Sequence, residues 1–71
     1  MRNHETDSMA AALNQAFEKS AMTLKEFIEH LKATRDIFDY EECEDYVSFH
    51  IVKEGGVFQF YFAFDEWYCK Q

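Results

Sequence analysis

Residues 45–68 read DYVSFHIVKEGGVFQFYFAFDEWY, and this stretch decides the fold. Two runs rich in aromatic and β-branched residues flank Glu54-Gly55-Gly56, which contains the only two glycines of the chain. Glycine reaches positive φ without steric cost, so a tight reversal is expected between the two runs. The stretch therefore predicts a C-terminal β-hairpin.

The alternation of side chains decides which residues share a face of this hairpin. With a Gly55-Gly56 loop, the apolar face holds three cross-strand pairs: Ile51 with Phe60, Phe49 with Phe62, and Val47 with Phe64. A Glu54-Gly55 loop shifts the pairing by two residues and keeps the same faces. A three-residue loop would turn the phenylalanines away from the other apolar side chains, because side chains alternate with period two. A two-residue loop is therefore favoured, and both versions remain open.

Apolar residues recur at helical spacing in two segments before the hairpin. They are Met9, Leu13, Ala16 and Phe17 in the first segment, and Leu24, Phe27, Ile28 and Leu31 in the second. The pattern predicts helices over 8–20 and 24–35, preceded by a flexible tail at 1–6. Thr23 and Glu26 form a T-x-x-E capping box, which favours a break near residues 21–22 over the alternative of one helix over 8–35.

These elements predict one small α+β domain over 7–71, in which two short N-terminal helices pack on an antiparallel sheet of two or three strands. The predicted core contains Met9, Leu13, Phe17, Leu24, Phe27, Ile28 and Leu31 together with the apolar face of the hairpin. A chain of this size buries only about 60% of its unfolded surface. Its thirteen aromatic residues (8 Phe, 4 Tyr, 1 Trp) supply large blocks of burial in compensation.

Residues 36–45, DIFDYEECED, are unusually acidic, with six acids among ten residues. Phe38 and Tyr40 alternate with acids, which allows a short third strand over 37–41. An irregular connector pinned by Phe38 fits the pattern equally well. An EF-hand loop is not predicted, because its central glycine and its spaced final glutamate are missing.

The net charge of the chain belongs entirely to its C-terminal half. Residues 1–35 contain five acids and five bases, whereas residues 36–71 contain nine acids and two bases, which gives the net charge of -7. Residues 23–35 carry a net charge of only +1. Direct binding to nucleic acid is therefore not expected, because it needs a basic surface.

Catalysis, cofactors and metals find little support in the sequence. Candidate nucleophiles and bases are scattered, glycine-rich phosphate loops are absent, and an enzyme is not expected. Cys43 and Cys69 flank the hairpin and could approach each other at its open end, although two reduced thiols are the simpler expectation. A metal site using both cysteines and His50 is not predicted, because no CxxC or HxxxH spacing supports it. With no apolar run near about 18 residues and no leader, a cytoplasmic location is expected.

A protein-binding module is the function that this composition favours. In size and acidity the chain is similar to phage-encoded inhibitors that mimic DNA, such as anti-CRISPR and anti-restriction proteins. That resemblance implies binding to a basic, nucleic-acid-binding surface of another protein. The predicted contact residues are Asp36, Asp39, Glu41, Glu42, Glu44, Asp45, Asp65 and Glu66 in place of phosphates, with Tyr40 and Trp67 as aromatic anchors. The alternative is a homodimeric accessory or structural protein whose acidity serves solubility.

Overall fold

The protein is described here by a computed structural model, which covers residues 4–54 and 56–71. Two helices precede four strands: α1 (His4–Ser20), α2 (Leu24–Thr34), β1 (Ile37–Glu42), β2 (Val47–Lys53), β3 (Gly56–Ala63) and β4 (Glu66–Lys70). The strands form one antiparallel sheet in the order β1-β2-β3-β4. The α+β class is confirmed, but the sheet has four strands instead of two or three. Within the described residues, neither helix is long and apolar enough to cross a membrane.

Helix α1 begins earlier than its apolar spacing predicted. Its first residue is His4, and Thr6 is buried at 5% exposure, so residues 4–6 belong to the helix instead of a tail. Residues 1–3 of the expected tail lie outside the described residues. The boundary is hidden because the residue that the first turn buries, Thr6, is polar, and hydrophobic spacing detects only apolar side chains.

The break between the helices is confirmed. Ala21 adopts φ 56, the left-handed conformation that commonly ends a helix. Both bonds of the capping box then start α2: the Thr23 main-chain N–H donates to Glu26 Oε1 (2.9 Å), and the Glu26 N–H donates to Thr23 Oγ1 (3.2 Å). These bonds satisfy backbone donors at the first turn of α2 that one continuous helix would have paired internally.

Both helices pack on one face of the sheet, and the core lies between the helices and this face. The buried apolar side chains are Phe27, Ile28 and Leu31 of α2, Val47, Phe49 and Ile51 of β2, Phe58 and Phe60 of β3, and Trp67 of β4. Partly buried Met9, Leu13, Phe17, Leu24 and Phe62 pack against them. All predicted core residues except Phe64 are therefore in or against the core.

The hairpin β2-β3 pairs in the second of the two registers considered. Ile51 pairs with Phe58 and Lys53 with Gly56, which is the register of a Glu54-Gly55 loop, although Gly55 lies outside the described residues. The shift by two residues keeps the phenylalanines on the core side, as the alternation requires. It also moves Phe58 into the core, where its side chain is 0% exposed, and leaves Phe64 beyond the pairing.

A second hairpin, which the sequence pattern did not reveal, produces β4. Ala63 pairs with Glu66, so Phe64 and Asp65 form a two-residue turn. Both turn residues have positive φ (53 and 63), a conformation usually supplied by Asn or Gly in such turns. Because neither Gly nor Asn marks this reversal, the apolar run appeared to continue through it.

The acidic segment does form a strand, which confirms the first of its two interpretations. β1 pairs with β2 from Ile37 opposite Ile51 to Glu42 opposite Val47. The register shifts between Phe38 and Glu41, where Asp39 adopts φ 53. Such a bulge bends an edge strand and weakens it as a template for further pairing.

Candidate functional site

The topology brings two acidic segments to one end of the sheet. Glu42 pairs with Val47, Val47 with Phe62, and Phe62 with Trp67, so these residues form one rung across all four strands. The β1-β2 connection and the β3-β4 turn both leave the sheet beyond this rung. The predicted residues that meet there are Glu41, Glu42, Glu44, Asp45, Asp65 and Glu66, which we call the acidic end.

The carboxylates of the acidic end are exposed and uncompensated. In residues 4–54 and 56–71, Glu44, Asp45, Asp65 and Glu66 form no ion pair with any base. Glu18 of α1 lines the same surface depression as Asp65 and Glu66, and adds an acid that the sequence pattern did not assign to the site. Like charges held together in this way create a negative field that attracts cationic groups.

Glu41, Cys43 and Tyr46 form a hydrogen-bonded group at this end. Cys43 Sγ and Tyr46 Oη both donate to Glu41 Oε1, over 3.1 Å and 3.0 Å. The bonds from Cys43 and Tyr46 lower the pKa of Glu41. Hydrogen bonding to Cys43 and to the Glu41 carboxylate raises the pKa of Tyr46. Glu41 therefore stays ionised and Tyr46 stays protonated, which holds the Tyr46 ring beside the acids.

Two predicted acids lie away from the acidic end. Asp36 precedes β1, whose first residue pairs with Ile51 towards the opposite end of the sheet. Asp39 occupies the bulge of β1, where its Oδ2 lies 3.9 Å from His50 Nδ1. The structure therefore divides the acids of 36–45 between two regions instead of presenting them as one row.

The two predicted aromatic anchors face the wrong side of the sheet for this role. Trp67 is 1% exposed and packs against Phe27 and Phe49, so its side chain cannot contact a partner, and that prediction was wrong. Tyr40 lies half-buried on the helix side, with Lys32 Nζ 4.1 Å above its ring. Burial, and then the Glu42 charge, raise the pKa of Tyr40, whose hydroxyl donates to Glu42 (3.3 Å).

Two other aromatic residues are exposed at the acidic end, where Trp67 was the predicted anchor. Phe64 is 91% exposed at the tip of the β3-β4 turn, and Tyr46 is 38% exposed at the β1-β2 connection. Strand alternation predicts Tyr46 on the face away from the core, because its neighbour Val47 belongs to the apolar face. Phe64 carried no signal, because its exposure depends on a turn without glycine.

The face of the sheet opposite the helices, here called the open face, is rich in aromatic rings. Phe38 stacks on His50 (5.6 Å between ring centroids) and Tyr61 on Tyr68 (5.2 Å). Val52 and Val57 are also exposed there. The open face continues into the acidic end through Tyr46, so apolar and negative surfaces adjoin.

The two cysteines do not approach each other as the hairpin alone suggested. Cys43 lies in the β1-β2 connection, at the acidic end. Cys69 lies on β4, which runs away from that end, and it pairs with Phe60 of β3. Both are free thiols, and desolvation raises the pKa of Cys69 to about 11. Within the described parts of the chain, no three His, Cys, Asp or Glu side chains are grouped to hold a metal ion.

The arrangement as a whole suits recognition of a cationic surface. It offers exposed carboxylates, one aromatic ring that is 91% exposed and an adjoining aromatic face, carried by strands, a two-residue turn and the β1-β2 connection. Comparisons with protein-family models, with curated proteins and with solved structures found no match for this chain.

Proposed function

We propose that the protein is an inhibitor that binds another protein and occupies its basic, nucleic-acid-binding surface. The observation that carries this proposal is the acidic end, where residues 41–45 and 65–66 converge although some twenty positions separate them in the sequence. Its carboxylates would take the place of phosphates, as in DNA mimics of the anti-CRISPR and anti-restriction kind. No catalytic step is assigned to the protein.

The geometry favours a partner that is already basic. Within the described residues, Glu44, Asp45, Asp65 and Glu66 form no ion pair, so a partner's arginines and lysines would meet carboxylates that are not already paired. Complementary fields of this kind raise association rates and discriminate against neutral partners. The same field repels phosphate, so the protein itself is not expected to bind nucleic acid.

The rigid placement of the acids supports recognition over mere solubility. Asp65 belongs to a two-residue turn, and Glu66 is paired with Ala63 on the adjoining strand. Side chains carried on ordered backbone lose less conformational entropy on binding than side chains of a flexible tail. Charges that served only solubility would not need such positions.

The test uses two variants with the same change in net charge. Glu44→Lys/Asp65→Lys reverses two acids at the acidic end, and Asp36→Lys/Glu54→Lys reverses two exposed acids towards the opposite end. The wild-type protein is used to capture nucleic-acid-binding proteins along a salt gradient, and binding of the captured protein is then measured by calorimetry with and without competing duplex DNA. We expect competition by DNA, and loss of binding in the first variant only. Equal loss in both variants would show that net charge, not this site, governs binding.

A homodimeric accessory protein is the second candidate, and the open face is the observation that favours it. Val52 is 67% exposed, Val57 47% and Phe38 40%, and all three lie on the face of the sheet away from α1 and α2. Burying such a patch against a second copy would stabilise a dimer. Sedimentation equilibrium of the wild-type protein and of Val52→Lys/Val57→Lys separates the two candidates. A dimer that the lysines dissociate, without any basic partner, supports the accessory role.

A further inference from the structure

A shallow depression of about 630 Å³ opens on the sheet where the open face meets the acidic end. The residues that line it include Tyr46, Tyr61, Phe64 and Asp45. We call these four residues the aromatic notch. The volume lies within the range of about 300–1,000 Å³ that small-ligand clefts occupy. The notch therefore has room for one side chain of a partner.

Two rings of the notch are held by contacts within the protein. Tyr61 stacks on Tyr68 with 16° between the ring planes, and the Tyr46 hydroxyl donates to Glu41. Phe64 stands in the tight turn, and its ring is 91% exposed. Rings that are fixed before binding lose little entropy when a ligand enters, which is the condition for tight recognition by a small site.

Phe64 combines two unfavourable features in one residue. Its φ of 53 is sparsely populated by bulky side chains, and its ring is 91% exposed. Within the described residues, the ring contributes nothing to the core that would offset either feature. Strained residues of this kind concentrate at ligand-binding positions, so the exposed Phe64 ring is a candidate ligand contact.

We propose that the aromatic notch binds an arginine side chain of the basic partner, an inference that rests on the proposed function. A guanidinium is planar and weakly hydrated, so it stacks on aromatic rings and pairs with a carboxylate at the same time. The notch supplies both partners, with three rings and Asp45. A lysine ammonium would find the charge but would gain less from the flat rings.

Lys70 places a cation near the Tyr61 ring. Its Nζ lies 6.0 Å from the Tyr61 ring centroid, at the outer limit of a cation–π contact, and Lys70 also lines the notch. An incoming guanidinium would be repelled by this ammonium. Removal of the Lys70 charge is therefore expected to strengthen arginine binding.

The test titrates the isolated protein with N-acetyl-arginine N-methylamide and follows aromatic and amide resonances by NMR. N-acetyl-citrulline N-methylamide, the neutral isostere, is the matched ligand control. We expect saturable shifts of the notch residues with arginine only, weakened about two- to fivefold in Phe64→Ala and Asp45→Asn. Lys70→Gln should bind more tightly. Asp36→Asn removes the same charge away from the notch and should bind as the wild type does.

Three results would overturn the proposed arginine site. They are no saturable shifts, binding of the citrulline derivative as tight as that of the arginine derivative, or equal weakening of arginine binding in Asp36→Asn and Asp45→Asn. The outcome is separable from that of the proposed function. If a captured partner needs the acidic end but binds Phe64→Ala and Tyr61→Leu unchanged, the notch is wrong and the function stands. If arginine binds in the notch while no partner depends on the acidic end, the function is wrong and the arginine site stands.

Discussion

The side-chain amide of Asn14 hydrogen-bonds to both main-chain polar groups of Trp67. Asn14 Nδ2 donates to the Trp67 carbonyl (3.1 Å), and the Trp67 N–H donates to Asn14 Oδ1 (2.8 Å). An amide side chain on α1 thus takes the place of a neighbouring strand at the outer edge of β4. The pair positions α1 along the sheet and leaves the Trp67 side chain in the core.

Replacement of Asn14 should therefore loosen this edge. Asn14→Leu leaves the Trp67 N–H and carbonyl without protein partners, and we expect the free energy of unfolding to fall by about 1–3 kcal/mol. Urea denaturation followed by Trp67 fluorescence measures this change. Gln15→Leu is the matched control, because Gln15 is the exposed neighbour on the same helix. Equal effects of both substitutions would contradict the role given to Asn14.

Phe58 and Phe64 allow a matched test of the register. Phe58 is 0% exposed, so Phe58→Ala should lower the free energy of unfolding by about 3–5 kcal/mol. Phe64→Ala should change it little, because the 91% exposed ring buries no surface in the core. Thermal or urea unfolding of the two variants measures both changes in the free energy of unfolding. Similar losses in both would indicate that Phe64 is packed and that the hairpin pairs in the other register.

The β3-β4 turn predicts a stabilising substitution. Phe64→Gly removes the strain of a bulky side chain at φ 53, and we expect a gain of about 1 kcal/mol, since the left-handed conformation costs non-glycine residues about 1–2 kcal/mol. Asp65→Gly should gain less, because Asp tolerates this conformation better than Phe. If the turn has another conformation, Phe64→Gly will destabilise the protein through the added freedom of the unfolded chain.

The capping box predicts a pH dependence. Hydrogen bonds from the backbone and the side chain of Thr23 lower the pKa of Glu26 from its ordinary value of 4.5. The folded protein thus holds this proton less tightly than the unfolded chain, so the stabilisation is present above pH 4.5 and is lost as the pH falls through the lowered pKa. Thr23→Ala removes the hydroxyl but keeps the main-chain N–H, so the Glu26 pKa, measured by NMR titration, should rise only part of the way towards 4.5. An unchanged pKa would show that the Thr23 hydroxyl does not act on the carboxylate in solution.

Thiol reactivity should distinguish the two cysteines. Desolvation raises the pKa of Cys69 from 9.0 to about 11, so the folded protein holds the thiol proton more tightly than the unfolded chain does. The stabilisation from the protonated thiol is therefore complete below pH 9.0 and is lost as the pH rises towards 11. The thiolate is the reactive form of cysteine. In the variant Cys43→Ala, the remaining Cys69 thiol should therefore react slowly with a disulfide reagent at neutral pH until denaturant is added. Cys69→Ala, which retains the thiol of the β1-β2 connection, should react faster. Rapid reaction of Cys43→Ala would contradict the packing of Cys69.

The helices were predictable because their signals are local. The capping box at Thr23 and Glu26 involves bonds within one turn, so the residue types alone indicate the start of α2. The face of each hairpin strand was equally readable, since alternation depends only on the extended backbone. The register was not, because two loops whose strand pairings differ by two residues bury the same faces and differ only in which phenylalanine enters the core.

The candidate site was only partly readable for a related reason. The acids of 41–45 and 65–66 stand out in the sequence, but their proximity requires β4 to reverse at Phe64 and Asp65. The same reversal exchanges the roles of two aromatic residues. It leaves Phe64 exposed at the tip of the turn and places Trp67 in the core. The exposed ring thus lies three positions before Trp67, the residue that was predicted to be the anchor.

By itself, the sequence determined the α+β class, the two helices with their break, the core side of each β2 and β3 residue, and the excess of negative charge in the second half. These properties follow from local bonding, side-chain alternation and composition. Only the tertiary structure decided the fourth strand, the register, and the convergence of the acidic end with the aromatic notch. Those features depend on which distant residues pack together, and packing energies of whole faces outweigh the weak local preferences of a turn without glycine.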